Sequence, residues 1–271
     1  MSASSPDVFE PSEAYLSRFS GIARLYGLDA LHRFAKSHVC VIGIGGVGSW
    51  AAEALARTGF GKITLIDLDE VCISNVNRQL HAMGPTVGKS KVDVMAERIL
   101  AINPECDVIR VDDFIGEDNQ AQLLGGELDY VVDAIDSVRA KAALLNYCKR
   151  NKIPVVTTGG AGGQTDPTQI LVADLAKTKH DPLAARVRNQ LRRQYGFAKG
   201  EKAKFGIECV YSTEQLRYPS PDGTVCHQKP EPGEGPVRLD CAAGFGAVTM
   251  VTASFGMVAA SRVASKIAAK V

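Results

Sequence analysis

The chain has 271 residues, is 45% apolar and carries a formal net charge of +1, which excludes an intrinsically disordered chain and a globally basic nucleic-acid binder. Its seven cysteines include no C-x-x-C pair, which argues against a disulfide framework and a zinc knuckle and favours the reducing cytoplasm. Residues 1–12 lack the pattern of a signal peptide and are expected to form a flexible tail.

The N-terminal part of the chain predicts one or two helices followed by a strand, a glycine turn and another helix. Apolar residues recur at helical spacing over residues 13–35, although glycines interrupt them. Residues 38–42 are a short β-branched run that stops at Gly43, and helical spacing returns over residues 47–58. This order is typical of the start of a nucleotide-binding βαβ unit.

Strand and helix patterns continue to alternate as far as residue 160. Strands are predicted at 62–66, 108–111, 130–132 and 153–157, and helices at 90–102 and 137–150. Such alternation favours a mainly parallel, doubly wound sheet. We therefore predict an α/β, Rossmann-like single domain over residues 13–271, with a nucleotide-binding half at 13–160 and an elaborated C-terminal half at 161–271 for substrate and dimer contacts.

The C-terminal half follows a glycine cluster at residues 159–163. A strand is predicted at 169–172, and Asp181-Pro182 opens a strongly basic helix. Residues 218–236 are dense in Pro and Gly, which indicates a mobile loop. Residues 242–261 hold no charge and are long enough for a membrane span, but their Gly and Ala content favours a helix packed inside the protein or across a dimer interface. No stable membrane insertion is expected.

The run G-I-G-G-V-G-S from Gly43 to Ser49 has the spacing of a phosphate-binding turn. Gly43 permits a tight turn after the strand, Gly45 lets phosphate approach the backbone, and Gly48 lets helix and strand pack closely. Asp67 ends the next strand, where ribose hydroxyls are expected, although a solvated turn is the alternative. The loop predicts phosphate binding, and the residues that follow must decide between NAD and ATP.

Charged groups beyond the loop favour Mg-ATP, because a triphosphate and its metal need several cations and a carboxylate. Arg78 could clamp phosphate oxygens, Lys91 could neutralise the leaving pyrophosphate, and Asp136 could hold magnesium. Each could instead be an ordinary surface charge. Their common position at strand ends on one edge of the sheet favours an ATP site.

These motifs, in this order, resemble those of the ubiquitin-activating-enzyme-like (ThiF/MoeB/HesA) superfamily. They are G-x-G-G-x-G-S at 43–49, D-x-D at 67–69, N-x-N-R-Q at 75–79, G-x-x-K at 88–91 and D-x-x-D at 133–136. The resemblance covers roughly residues 14–160. It implies magnesium near Asp136 and nucleotide contacts from Gly43, Gly45, Gly46, Gly48, Ser49, Asp67, Asp69, Asn75, Arg78, Gln79 and Lys91.

One branch of the superfamily matches the chain further. The sulfur-carrier enzymes usually hold zinc through two C-x-x-C pairs, which this chain lacks. The runs T-T-G-G-A-G-G-Q at 157–164 and D-P-T-Q at 166–169 resemble instead the branch that dehydrates threonylcarbamoyladenosine beside the tRNA anticodon. That resemblance implies ATP activation of the threonyl carboxylate followed by ring closure. Activation of the C-terminus of a ubiquitin-like sulfur carrier is the alternative, and the motifs disfavour an NAD-dependent oxidoreductase or a non-enzymatic scaffold.

The resemblance also implies protein partners. Relatives are homodimers in which an arginine of the other subunit completes each nucleotide site, and Arg24 is the first candidate here and Arg18 the second. Either arginine could instead simply cover the first helix. A sulfur-acceptor protein of a cysteine-desulfurase system is a further candidate partner.

The basic segment around the helix that follows Asp181 is the candidate RNA-docking surface, with a solvated helix face as the alternative. Catalysis by Cys209 or Cys241 is not expected, because neither has an adjacent histidine or activating cation and ring closure needs no thiol. The histidines show no ligand spacing and receive no role. The basic residues are Lys177, Lys179, Arg186, Arg188, Arg192 and Arg193, with Lys199, Lys202 and Lys204 as an extension.

Overall fold

A single sheet runs through the part of the chain that the computed structural model describes, residues 11–200, 202–220, 222–228 and 245–270. Its strands are β1 (His38–Ile42), β2 (Lys62–Ile66), β3 (Asp107–Val111), β4 (Tyr130–Asp133), β5 (Val155–Thr158), β6 (Ile170–Asp174) and β7 (Glu208–Ser212). Their order across the sheet is β3-β2-β1-β4-β5-β7-β6. Neighbouring strands pair in parallel except β6 and β7, which are antiparallel.

Helices cover both faces of the sheet, which confirms the prediction of a mainly parallel, doubly wound α/β fold. They are α1 (Glu13–Tyr26), α2 (Leu28–Lys36), α3 (Gly48–Arg57), α4 (Lys91–Ile102), α5 (Gln120–Leu123), α6 (Val138–Arg150), α7 (Pro182–Gln194) and α8 (Thr249–Ala268). One apolar core, which includes Phe34, Phe60 and Phe255, packs α3, α4 and α8 on the sheet. A second, which includes Leu144 and Leu191, packs α6 and α7 on the opposite face.

The strand order places a crevice beside β1. The chain passes from β1 to β2 on one side, then crosses from β3 to β4 on the other side of β1. Gly43 follows β1 and Ala134 follows β4, so both lie where the direction of winding reverses. Ligands of doubly wound sheets bind at such a point, outside the carboxyl ends of the strands.

The uncharged C-terminal stretch forms α8, which packs on the core of the protein. Val251 and Phe255 are fully buried in the core beneath it. A Cβ on Gly256 would lie 2.5 Å from Val47 O, so the backbone of α8 touches the start of α3 directly. Within the described ranges, no helix is long and apolar enough to cross a membrane. Residues 249–261 therefore pack on the core through one face, while Met250 and Met257 are exposed, and residues 242–244 lie outside the described residues.

Three segments differ from the sequence-based expectation or add to it. Strand β7 is absent from that prediction, because its run E-C-V-Y-S follows a polar loop and shows no alternation. The segment predicted as a loop at 218–236 contains a hairpin of β8 (Tyr218–Pro219) and β9 (Val225–Cys226), and residues 229–236 lie outside the described residues. Residues 1–10 of the predicted tail also lie outside them, whereas Ser12 caps α1 by accepting from Tyr15 N at 3.0 Å.

Candidate nucleotide-binding site

The turn between β1 and α3 requires glycine at two positions. Gly43 has a φ of +84°, and a Cβ there would lie 2.9 Å from Ala134 O. A Cβ on Gly48 would lie 1.8 Å from Gly43 O. The predicted tight turn and the close packing of helix on strand are both present, since neither position has room for a side chain.

The same turn presents backbone N–H groups to a ligand. Ser49 is fully buried, and its hydroxyl donates to Gly45 O at 2.7 Å and accepts from Leu80 N at 3.3 Å, so it fixes the loop. The amides of residues 45–47 donate to no acceptor in the described part of the chain. They lie at the N-terminus of α3, where the helix dipole favours negative charge. This arrangement suits a phosphate group.

Asp67 and Lys91 come together at the end of β2. The Asp67 carboxylate accepts from Ile44 N at 2.5 Å and from Asp69 N at 2.8 Å. Burial raises the pKa of Asp67, and Lys91 opposes that shift. Lys91 Nζ lies 2.6 Å from Asp69 Oδ2 and 3.9 Å from Asp67 Oδ1. Asp67 thus joins β2 to the glycine loop, and the contact of Lys91 with pyrophosphate stays a prediction.

The segment at 75–79 lies against the glycine loop from the side of α8. Asn75 Oδ1 accepts from Cys72 N at 3.0 Å, which closes a short turn before Arg78. A Cβ on Gly46 would lie 3.2 Å from Arg78 Cγ, so the arginine stem packs on the loop. Arg78 Nη1 donates to Ser74 O at 2.9 Å, which holds the guanidinium in place.

Two buried polar side chains at the end of this segment have atoms without a hydrogen-bond partner among the described residues. Gln79 is 6% exposed with Oε1 unpartnered, and its Nε2 would lie 3.8 Å from a Cβ on Gly45. His81 is fully buried with both ring nitrogens unpartnered. Burial lowers the pKa of His81 to about 4, and the charges of Lys91 and Arg98 add to the effect. A buried acceptor beside free amides fits a nucleotide, which supplies both hydroxyl donors and phosphate acceptors.

Two carboxylates on the other side of the crevice have different environments. Asp133 is fully buried, and its Oδ2 lies 3.0 Å from Lys141 Nζ and 2.6 Å from Thr157 Oγ1. Lys141 Nζ also donates to Ile135 O at 2.8 Å, which fixes the turn that carries Asp136. Asp136 is exposed and available to a cation. The described residues hold no cluster of three metal ligands, and the contact of Asp136 with magnesium stays a prediction.

Comparison with known proteins agrees with this geometry. Residues 18–270 match the sequence profile of the ThiF family. The chain belongs to the ThiF family. It is 62% identical over 259 residues to the tRNA threonylcarbamoyladenosine dehydratase of Escherichia coli strain K12, and the match covers 96% of each chain.

A solved structure agrees with the similarity to the dehydratase, and a second enzyme class matches less of the chain. The ThiF-family chain matches the crystal structure of the E. coli tRNA N6-threonylcarbamoyladenosine dehydratase in complex with ATP with a TM-score of 0.84, at 57% identity over 96% of this chain and 97% of that one. The molybdopterin-synthase adenylyltransferase of E. coli is 33% identical over 136 residues, which are 50% of this chain and 54% of that protein. Similarity to the dehydratase spans the chain, whereas similarity to this adenylyltransferase spans half of it.

The start of the first helix of this ThiF-family chain is fixed at the amino-terminal ends of the strands, opposite the glycine loop. Tyr15 Oη donates to Gly59 O, and Ser12 Oγ donates to Glu105 Oε1; both acceptors lie shortly before the start of a strand. Arg18 and Arg24 are exposed on this helix. No contact within the described residues joins either arginine to the glycine loop of the same chain, and their contact with a nucleotide of another subunit stays a prediction.

The basic helix α7 contains two kinds of arginine. Arg188 donates to the Thr178 hydroxyl, and the Arg192 guanidinium lies 5.5 Å from the centre of the Phe205 ring, so both serve the fold. Arg186 and Arg193 are exposed and line an open groove that also includes Val138, Asn189 and Gln190. Val138 is the second residue after Asp136, so one side of this groove is close in the chain to that carboxylate.

The thiol of Cys209 gives no support to a cysteine mechanism at that residue. Cys209 is fully buried, and that burial raises the pKa of its thiol, because the thiolate is disfavoured away from water. Cys241 lies outside the described residues.

Proposed function

We propose that this ThiF-family chain catalyses the ATP-dependent dehydration of threonylcarbamoyladenosine next to the anticodon of tRNA. The observation that carries the proposal is the 62% identity with the E. coli dehydratase along 96% of both chains. The ATP complex of that protein supports ATP as the nucleotide.

We assign the nucleotide to the crevice between β1 and β4. The amides of Gly45 and Gly46 would bind phosphate, and Arg78, whose stem already packs on Gly46, would clamp phosphate oxygens. Asp67 would accept hydrogen bonds from ribose hydroxyls. Asp136 is the exposed carboxylate that would hold magnesium together with phosphate oxygens.

The reaction needs a carboxylate to become an electrophile, and transfer of an adenylyl or phosphoryl group from bound ATP to one carboxylate oxygen, with release of pyrophosphate or ADP, would make that oxygen part of a leaving group. An atom of the carbamoyl group then bonds to the carboxyl carbon and gives up its proton, the bond from that carbon to the activated oxygen breaks, and the oxygen leaves on AMP or phosphate, so the nucleoside loses the elements of one water. The two reacting groups belong to one side chain, so their proximity lowers the barrier. Arg78 and Lys91 place positive charge where negative charge collects, which stabilises the transition state.

The groove along α7 is our candidate docking surface for tRNA. Arg186 and Arg193 are exposed cations, and Val138 on one side of the groove is close in the chain to Asp136. Arginines in such a groove bind phosphates and position the nucleic acid rather than read its sequence. The substrate would thus be held beside the ATP site.

We further propose that the protein acts as a homodimer. Arg24 is exposed on α1 and would complete the nucleotide site of another subunit, with Arg18 as the second candidate. A sulfur-acceptor protein and a cytoplasmic location stay predictions.

Site variants test the proposal. Purified protein, Mg-ATP and tRNA that carries threonylcarbamoyladenosine are incubated, and nucleoside mass spectrometry follows the product lighter by one water. We expect Arg78→Met and Asp136→Asn each to slow the reaction by at least about 100-fold, because each removes a charge that acts on the phosphates. The matched controls Arg33→Met and Asp118→Asn should react like the wild type. Full activity in both site variants would refute this placement of ATP.

A further inference from the structure

A second pocket opens at the carboxyl edge of the sheet, beside the end of β7. Three ring planes, from His180, Tyr218 and His227, stand around it. Leu216 is 8% exposed and gives the pocket an apolar surface, while Gln215 is exposed at the rim. The pocket therefore combines flat faces, an apolar surface and hydrogen-bonding groups.

Hydrogen bonds connect this pocket to the glycine cluster after β5. Arg217 N donates to Gly163 O at 2.9 Å, and Gly159 N donates to Val210 O at 2.7 Å. The Glu214 carboxylate accepts from Thr165 N and Asp166 N, both at 2.9 Å, and thereby fixes the pocket wall. The wall is thus continuous with the strand ends that border the nucleotide crevice.

The end of β7, where the pocket opens, lies three strand positions from β1 and the glycine loop. From β1 to β7 the sheet steps through β4 and β5, which at about 4.8 Å per strand amounts to about 14 Å. At that distance, a group bound in the pocket would not touch the carboxylate that reacts with ATP. It lies within reach of a nucleotide adjacent to the modified adenosine.

Both histidines are exposed, and the backbone at His180 and the ring of His227 are held by their surroundings. His180 has a φ of +59°, in the left-handed region that residues other than glycine rarely adopt. The next residue, Asp181, accepts from Gly160 N at 3.0 Å and from Ala184 N at 2.8 Å, which fixes the chain there. His227 Nδ1 lies 3.2 Å from Leu216 O, so that ring is also tied to the wall.

We propose that this pocket binds an unstacked nucleobase that neighbours the modified adenosine in the anticodon loop, an inference that rests on the proposed function. Proteins recognise single-stranded RNA by stacking its bases on aromatic and imidazole rings. Lys179 and Arg217 are exposed next to the pocket residues His180 and Leu216, where they supply charge for the adjoining phosphates. The ring planes of His180 and His227 stack the base.

The test removes one ring at a time and keeps the backbone. His180→Asn is chosen because asparagine tolerates the left-handed region, and His227→Asn is its partner. Binding of an unmodified anticodon stem-loop RNA is measured by fluorescence anisotropy, and the KM values for tRNA and ATP are measured separately. Each variant should weaken RNA binding and raise the KM for tRNA by at least about fivefold, while the KM for ATP stays within about twofold. His32→Asn on α2 is the matched control and should match the wild type.

A second measurement uses the wild-type protein and is independent of variant folding. RNAs that each lack one base of the anticodon loop are compared. Loss of one particular base should weaken binding to the wild type by at least about fivefold, and the same loss should weaken binding to His180→Asn little further. Equal binding of every abasic RNA, or unchanged RNA binding and KM in both variants, would overturn the pocket proposal. If the wild type fails to dehydrate the nucleoside, the proposed function fails instead, whatever the RNA binds.

Discussion

Replacing Lys141 by methionine should destabilise the fold by about 3–5 kcal/mol, the range found when one partner of a buried ion pair is removed. The side chains of Lys141 and Asp133 are 2% and 0% exposed, and Lys141 Nζ lies 3.0 Å from Asp133 Oδ2. Methionine preserves the apolar stem but leaves the buried Asp133 carboxyl group without its cation. Its remaining donors are Thr157 Oγ1 and Ile135 N.

The loss of stability in Lys141→Met has a second cause. Lys141 Nζ donates to Ile135 O at 2.8 Å and to Asp133 O at 3.3 Å, and loss of a donor to a buried carbonyl costs about 1 kcal/mol or more each. The double variant Asp133→Asn/Lys141→Met should recover part of the stability, because no buried charge is left. Dehydration should also slow, since the Ile135 contact fixes the turn that carries Asp136.

Urea unfolding at neutral pH measures the effect, with linear extrapolation to zero denaturant. The matched control is Lys62→Met, which breaks a pair with Asp107 whose atoms lie 2.7 Å apart but whose side chains are 39% and 60% exposed. That change should cost at most about 1 kcal/mol. If Lys141→Met costs no more than Lys62→Met, the argument from burial is wrong.

Three more predictions follow from burial, packing and assembly. Burial lowers the pKa of His81 from 6.5 to about 4, so between these pH values the unfolded state binds more protons than the folded state. From pH 7 to pH 5 the free energy of unfolding of the wild type should therefore fall by about 2 kcal/mol more than that of His81→Leu, as measured by urea titrations. Gly256→Val should lower the free energy of unfolding by at least about 2 kcal/mol, because its Cβ would lie 2.5 Å from Val47 O. Arg24→Ala and Arg78→Met should each be inactive, and an equal mixture should regain about a quarter of wild-type dehydration, since half of the dimers are mixed and hold one complete site.

Each of these predictions has a result that contradicts it. Equal pH dependence of stability in the wild type and His81→Leu would show that the imidazole is not held neutral. Gly126→Val is the control for Gly256→Val, because no atom lies within 4 Å of a Cβ at Gly126, and equal losses would remove the packing argument. No recovery on mixing would place the completing arginine elsewhere, with Arg18 tested next.

The sequence predicts the central strands β1, β2, β4 and β5 well because they are buried on both faces. The strands at 38–42 and 62–66 have the predicted bounds, since continuous apolar runs end abruptly at Gly43 and Asp67. Strand β7 is different. Its run E-C-V-Y-S contains Glu208, Tyr211 and Ser212 in place of a continuous apolar run, so no apolar pattern marks it although four of its five residues are buried.

Some residues of the candidate site could likewise be predicted from the sequence, and others could not. Asp67, Lys91 and Arg78 could be placed near the loop from the sequence, because strand ends and the segments that follow meet at one edge. Lys141 and His81 could not, since their importance comes from burial and from the partners they have or lack. Helical spacing around Lys141 marks it only as one more residue of α6.

The most direct test of the central claim is nucleoside mass spectrometry of tRNA that carries threonylcarbamoyladenosine, incubated with the wild-type protein with and without ATP. We expect the nucleoside to lose the mass of one water only when ATP is present. An unchanged nucleoside, together with ATP–pyrophosphate exchange that appears when a ubiquitin-like sulfur carrier is added, would contradict the account and favour the adenylyltransferase alternative.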